Sequence, residues 1–331
     1  MIHVRAMLLA LAVSLAASAG SAADKPYRAP RTAFGAPQLE GVWTNGTYTQ
    51  LERPKEFKAL AASPAEAKAF EARLATTGGV NIPREADTLG QADSEFPETG
   101  PGMTRIRGEI RTSHIVEPAD GKIPWTEAAR KRLHIDEHGW QSYDNPEQRS
   151  QNERCLAAAS TGAPILSSED ANVLQILQTR EHVVVLTEKY HDARIIRLPG
   201  APAPQGPASW LGDSVGHWEG DTLVATTGNL RAGVTEHGDD LALSAETRVD
   251  ERFTRIAPGQ ILYEFTVTDP SLFSRPWRGE MLFTTSPGRW FEYACHEGNY
   301  SIVSILQAAR LGRQPESKAK PDGAPAATPA P

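Results

Sequence analysis

Between residues 173 and 297 the chain alternates short β-forming runs with turns too brief to cross over, and this limits its fold more than any other feature. Val173–Gln178, Val183–Glu188 and Arg194–Leu198 are branched, apolar-rich runs separated by polar turn residues. His217–Glu219 and Thr222–Thr227 meet at Glu219-Gly220-Asp221. Val249–Ile256 and Ile261–Thr268 flank Ala257–Gln260, and Met281–Thr285 and Arg289–Ala294 flank Ser286-Pro287-Gly288. Strands joined this tightly pair antiparallel, because a parallel crossover needs about a dozen residues or more. The expected fold is therefore mainly β: an antiparallel up-and-down meander forming a barrel-like domain. A few N-terminal helices cover part of its outside, and its enclosed space faces a guest molecule.

The flanks have their own signals. Leu39-Glu40-Gly41-Val42-Trp43 reads as a first strand, after a Pro-rich lead-in at 24–37. Ser63 and Glu66 form a capping box with Pro64 at the first helical position, and Gly78-Gly79 ends that helix. Residues 80–102 lack periodicity and read as a surface loop. Ile106–Val116 reads as a strand, and Thr126 caps a helix running to about Glu137. Residues 301–311 read as a closing helix with Ile302, Ile305, Leu306 and Ala309 on one face. The organisation expected is an N-terminal strand, helix and irregular segment at 24–104, a β domain with its closing helix at 105–312, and a disordered Pro/Ala-rich tail at 313–331.

Arg5 followed by the apolar run Met7–Ala17 and a small-residue stretch has the form of a signal peptide over 1–23, cut near Ala22 or Ala23. The run is too short to span a bilayer, so a periplasmic or secreted protein with no membrane span is expected. A formal net charge of −7 argues against nucleic acid as a partner. In an oxidising compartment Cys155 and Cys295, the two cysteines, are expected to pair as a disulfide; two free thiols or one nucleophile are the other readings. Against the nucleophile, neighbours on a strand point to opposite faces, so His296 is badly placed to deprotonate Cys295.

Chemistry is harder to read. Gly212-Asp213-Ser214-Val215-Gly216 fits the G-x-S-x-G pattern of serine hydrolases, but a Pro-rich segment precedes it and a strand and turn follow, so the strand–elbow–helix context fails. The histidines show no metal-ligand spacing, no Gly-rich phosphate loop opens a helix, and no C-x-x-C-H is present. No metal and no cofactor is expected. What remains is a set of ionisable and aromatic residues on the meander. Glu188, His191, Asp192 and Arg194 surround one hairpin turn, and Tyr293, His296 and Glu297 end another run. His296 and His191, each beside a carboxylate (Glu297, Asp192), are the acid/base candidates. Arg194, Arg252, Tyr293, Trp218, Asp213 and His217 are the substrate-binding candidates. The plainer reading makes Glu251–Arg252 and Glu188–Arg194 cross-strand surface pairs of little energetic worth.

Several segments carry a resemblance. Trp210–Ser214 with Gly216–Val224, Glu251–Arg255, Tyr263–Pro270, Arg275–Trp277 and Glu292–Tyr300 resemble the signature of a family of exported bacterial proteins of unassigned function. Arg111–Ser113 and Glu153–Leu156 are similar to it as well. The likeness covers about residues 105–310, with the stretch before Val173 and residues 229–246 departing from it. It implies compartment and architecture, lipocalin-like or calycin-like by analogy, and no reaction. The function expected is binding of a small apolar or aromatic molecule, with cofactor-independent lyase, isomerase or hydrolase chemistry. The alternatives are a non-catalytic periplasmic carrier and a serine hydrolase using Ser214.

Overall fold

The computed structural model describes residues 27–77, 102–133, 144–158, 161–168, 172–201, 206–231, 235–236, 241–286 and 290–312. The expected signal peptide, the end of the first helix at Gly78-Gly79, most of the 80–102 loop, the end of the second helix and the C-terminal tail lie outside these residues.

Nine strands close into a barrel: β1 (Gly41–Thr44), β6 (Val173–Gln178), β7 (His182–Thr187), β8 (Ala193–Arg197), β9 (Asp213–Glu219), β10 (Thr222–Gly228), β13 (Arg248–Ala257), β14 (Gln260–Thr268) and β15 (Trp277–Thr285). Closure comes from β1, whose Trp43 pairs with Leu174 of β6 on one side and Thr285 of β15 on the other. The N-terminal segment thus supplies a barrel strand. The helices include α1 (Pro64–Thr77) and α2 (Glu127–Leu133) before the barrel and α3 (Cys295–Gly298) and α4 (Ser301–Gly312) after it. β2 (Ala61–Ala62), β3 (Arg105–Ile106) and β4 (Glu109–Arg111) form a small separate sheet, whose Ile110 joins Phe57, Phe70 and Leu74 in a second core. β5 (Ile115–Glu117) extends the barrel sheet beyond β15, and β11 (Thr235–Glu236) pairs with β12 (Ala242–Leu243).

The predicted capping box is present: Ser63 N–H donates to Glu66 Oε2 at 2.8 Å and Glu66 N–H to Ser63 Oγ at 3.3 Å. Ala129 N–H donates to the Thr126 hydroxyl at 3.1 Å, capping α2. On α4, Leu306 is buried and Ile302, Ile305 and Ala309 half-buried, the face its spacing predicts.

Three local expectations need correction. β8 and β9 pair parallel, Ile196 beside Ser214. The stretch joining them, 198–212, is long enough for a crossover, so the rule that forces tight hairpins antiparallel does not bind it. The Ile106–Val116 run breaks into β3, β4 and β5, turning between Arg111 and Ile115 to reach β15. Residues 290–294 form no ladder. The edge of β15 they would need is already taken by β1 and β5, so no hairpin partner position exists.

The lumen departs most from expectation, because side chains fill it. Trp43, Phe253, Tyr263, Phe265, Trp277 and Phe283 on the inner wall are each no more than 2% exposed. Their rings interlock: Phe253–Tyr263 at 4.9 Å, Tyr263–Phe283 at 5.0 Å and Phe265–Trp277 at 5.7 Å between centroids. Gly279 opposite Phe265 makes room for this, since a Cβ there would meet Phe265 Cζ at 2.2 Å. Both ends are stoppered. At the end carrying the β9–β10 and β13–β14 turns, Leu39 is fully buried, and the Gln178 amide accepts from Leu39 N–H at 2.6 Å and donates to Pro37 O at 3.0 Å. At the other end Ile165 enters the core, its N–H donating to the Tyr263 hydroxyl at 2.9 Å. Five large aromatic residues thus pack against one another on the inner faces of β13, β14 and β15, where the guest was expected.

Candidate functional site

Arg194 is the first predicted site residue to be relocated. It points into the barrel and is 2% exposed. Its Nη1 donates to Glu251 Oε1 at 2.8 Å and its Nη2 pairs with Glu251 Oε2, a fork-to-fork ion pair. Nε donates to Ser214 Oγ at 2.9 Å and Nη2 to Thr227 Oγ1 at 2.8 Å. Tyr263 OH donates to Glu251 Oε1 at 2.7 Å while accepting from Ile165 N–H. Burial works against the Arg194 charge, but Glu251 outweighs it and raises its pKa. Burial and then the Glu251 charge push the Tyr263 phenol well above its ordinary range. The group is a closed internal network with its partners in place, as a buried charge requires. It corrects two readings at once. Glu251 and Arg194 are neither exposed nor paired with the neighbours first considered, and Ser214 lies in mid-wall on a strand, its hydroxyl bonded to Arg194 and Thr227 (2.8 Å). Ser214 sits on a strand and not in a strand–turn–helix elbow, and among the described residues no histidine bonds to it.

The other candidates on the barrel strands are spread around its wall. His217 and Arg252 are exposed on the outer wall, both against Glu219, at 3.2 and 2.9 Å. Asp213 sits at the start of β9, accepting from Asn229 Nδ2 at 2.6 Å with Arg197 at 3.8 Å. Trp218 lies on the inner wall, packed against the core, its indole N–H without a partner among the described residues. None of the four reaches the turn that gathers the rest.

That turn joins β7 to β8 at the Ile165 end. Thr187 closes it: its N–H donates to Asp192 O at 2.9 Å and its hydroxyl to Lys189 O at 3.2 Å. Within the four residues that this closure spans, Tyr190 (φ 58°) and His191 (φ 55°) take the left-handed region, where neither is at ease. Such conformations cost about 1–3 kcal/mol each and gather at functional sites. Lys189 is buried beneath the turn, its Nζ 5.8 Å from the Tyr190 ring centroid. Tyr190 OH donates to Asn152 O at 2.8 Å and also bonds Asn152 Oδ1.

The C-terminal segment crosses this turn. The Tyr293 ring stands edge-on to Tyr190, centroids 5.3 Å apart at 87°, with Lys189 Nζ 5.7 Å from it. Tyr293 N–H donates to His191 Nε2 at 3.3 Å, which makes Nε2 an acceptor and puts the neutral ring's proton on Nδ1. Cys155 and Cys295 form the expected disulfide, Cα atoms 5.8 Å apart, fastening the segment beside Tyr293. Asn299 Nδ2 adds bonds to Glu153 O at 2.7 Å and Cys155 Sγ at 3.4 Å. The structure therefore brings His191, Asp192 and Tyr293 together. His296 and Glu297 stand exposed in α3, and the contact to His191 comes from Tyr293 instead.

Asp192 is half-buried, with Oδ2 lacking a hydrogen-bond partner among the described residues. Desolvation pushes its carboxyl from 3.8 up to about 6, against the Thr161 hydroxyl bond and the His191 charge. A carboxyl tuned this way beside an imidazole can exchange protons near neutrality.

A scan against models of known protein families finds no match for this chain, and a search of curated proteins finds none either. The geometry must carry the functional reading alone. Among the described residues, no group of three or more His, Cys, Asp and Glu side chains is placed to hold a metal ion. No helix among them is long and apolar enough to cross a membrane.

Sequence reasoning missed His114, a second buried polar centre. It is 1% exposed, and its Nδ1 lies 3.1 Å from Glu280 O. Desolvation lowers its pKa to about 4. Nearby Arg111 donates from Nε to Glu280 Oε1 at 2.5 Å. These contacts tie the β3–β4 layer to β15. Sequence analysis singled out the adjoining Arg111-Thr112-Ser113 but not His114 itself.

Proposed function

We propose that this chain is an exported binding protein whose β7–β8 turn receives a small aromatic or apolar molecule bearing a hydrogen-bond donor. His191 and Asp192 equip that turn for cofactor-independent proton transfer of the lyase, isomerase or hydrolase kind. The observation that carries the reading is the Tyr190-His191-Asp192 turn itself. It offers an aromatic face, an acceptor nitrogen and a carboxyl titrating near 6, all held in a conformation that costs stability. Export is supported by the Met7–Ala17 apolar run and by the disulfide.

The test is a fluorescence titration with 2-naphthol, an aromatic ring bearing one hydroxyl donor. Saturable binding that weakens at least fivefold in both Tyr190→Ala and His191→Ala is expected. Binding indifferent to both would refute the site. One observation favours the second reading, a carrier without catalysis: the His191 Nε2 lone pair is occupied by Tyr293 N–H. Incubating the protein with aromatic growth-feed extracts separates the two, since a carrier retains a compound and an enzyme changes its mass.

A further inference from the structure

Tyr293 does to the β7–β8 turn what a ligand would do. Its ring lies edge-on to Tyr190 and within 5.7 Å of Lys189 Nζ, and its N–H fills the acceptor nitrogen of His191. Rings 5.3 Å apart leave no gap for a third. The segment that brings Tyr293 there is paired to no strand over 290–294 and is fastened beyond it, by Cys295 to Cys155, Asn299 to Glu153 and Arg310 to Asp144 O at 3.2 Å. From these contacts we infer that residues 290–312 form a strap that closes the site with a built-in aromatic stand-in, and that reduction of the Cys155–Cys295 disulfide by a dithiol opens it. The inference rests on the proposed ligand site and adds its control: an aromatic ring with an N–H or O–H donor is bound more tightly once the strap is released.

The two sulfurs are not equivalent. Cys155 is 4% exposed and its backbone is left-handed (φ 56°). Cys295 is half-buried in α3, between the exposed Ala294 and His296. Attack by one thiolate of an external dithiol therefore falls on Cys295 Sγ, breaking the S–S bond and expelling the Cys155 thiolate. Asn299 Nδ2, 3.4 Å from that sulfur, donates to the charge as it forms. The second thiol of the reductant then displaces Cys295. The dithiol leaves as a disulfide, its two protons end on Cys155 and Cys295, and the electrons balance. The barrel stays closed, because ladder hydrogen bonds and not the disulfide join β1 to β15.

The experiment compares the oxidised protein, the protein reduced with dithiothreitol and Cys295→Ser, by hydrogen exchange and by 2-naphthol titration. Exchange across 290–312 should speed up at least tenfold on reduction while 248–285 stays unchanged. 2-Naphthol should bind at least fivefold tighter to both opened forms, and Tyr293→Ala should give the same gain without reduction. A strap that stays protected after reduction would overturn the inference, as would a released strap with unchanged or weaker binding. Equal binding by closed and open forms that still depends on Tyr190 would leave the site standing and remove the gate. No binding in any form would remove the site itself, and the gate with it.

Discussion

Replacing Glu251 by alanine would strand a guanidinium in the middle of the barrel. Arg194 keeps the Ser214 and Thr227 hydroxyls but loses both carboxylate bonds and the only counter-charge it has among the described residues, while Tyr263 OH loses its acceptor. With Arg194 2% and Glu251 0% exposed, water cannot compensate without opening the wall. Breaking a buried pair from one side costs about 3–5 kcal/mol. For a domain of roughly 150–250 residues, that lowers Tm by about 10 °C. Circular dichroism melts and urea unfolding of Glu251→Ala would read it directly. The double variant Arg194→Met/Glu251→Leu, which removes both charges and keeps the volume, should melt within a few degrees of the parent, because the pair's attraction and its desolvation nearly cancel. Glu251→Ala within about 1 kcal/mol of the parent would mean that the network is hydrated and the barrel is not solid.

Two further outcomes concern pH, with opposite signs. His114 is neutral in the fold, its pKa depressed from 6.5 to about 4, so the unfolded chain takes up a proton first. Its contribution is complete above pH 6.5 and is lost as pH falls towards 4, by about 3 kcal/mol in all; His114→Gln should flatten that limb of the Tm–pH curve, and identical slopes would refute the assignment. Asp192 has a folded pKa raised from 3.8 to about 6, so what it contributes is present below pH 3.8 and lost as pH rises through 6. Asp192→Asn should therefore be the more stable protein at pH 7.5, by about 1–2 kcal/mol once partial exposure is allowed for, and should show no gain at pH 3.5.

The meander was legible because its signal is local. Alternation along Val173–Gln178 or Ile261–Thr268 and the turns at Gly220 and Pro258-Gly259 each fit within a dozen residues, and so does the capping box at Ser63. Closure was not legible, since Trp43 meets Thr285 across most of the chain and nothing near either residue announces it. The same holds for Arg194. A charged residue on a strand reads as outward-facing until its partner is known, and Glu251 lies 57 positions away. Of the residues gathered at the β7–β8 turn, His191 and Asp192 were singled out from adjacency on one turn and Tyr293 from its place near the end of the meander. His296 stands apart from that turn because residues 290–294, which read as a strand, find no free edge on β15, and the contact to His191 comes from Tyr293.

A map of backbone amide shifts on adding 2-naphthol addresses the location of the site most directly. Perturbations should centre on Lys189–Ala193 and Asn152 and extend to Tyr293, leaving the inner wall of β13 and β14 unmoved. Shifts centred on Glu219–Thr222 at the opposite end, or on the interior positions Phe253 and Tyr263, would contradict a filled barrel that binds at its β7–β8 turn.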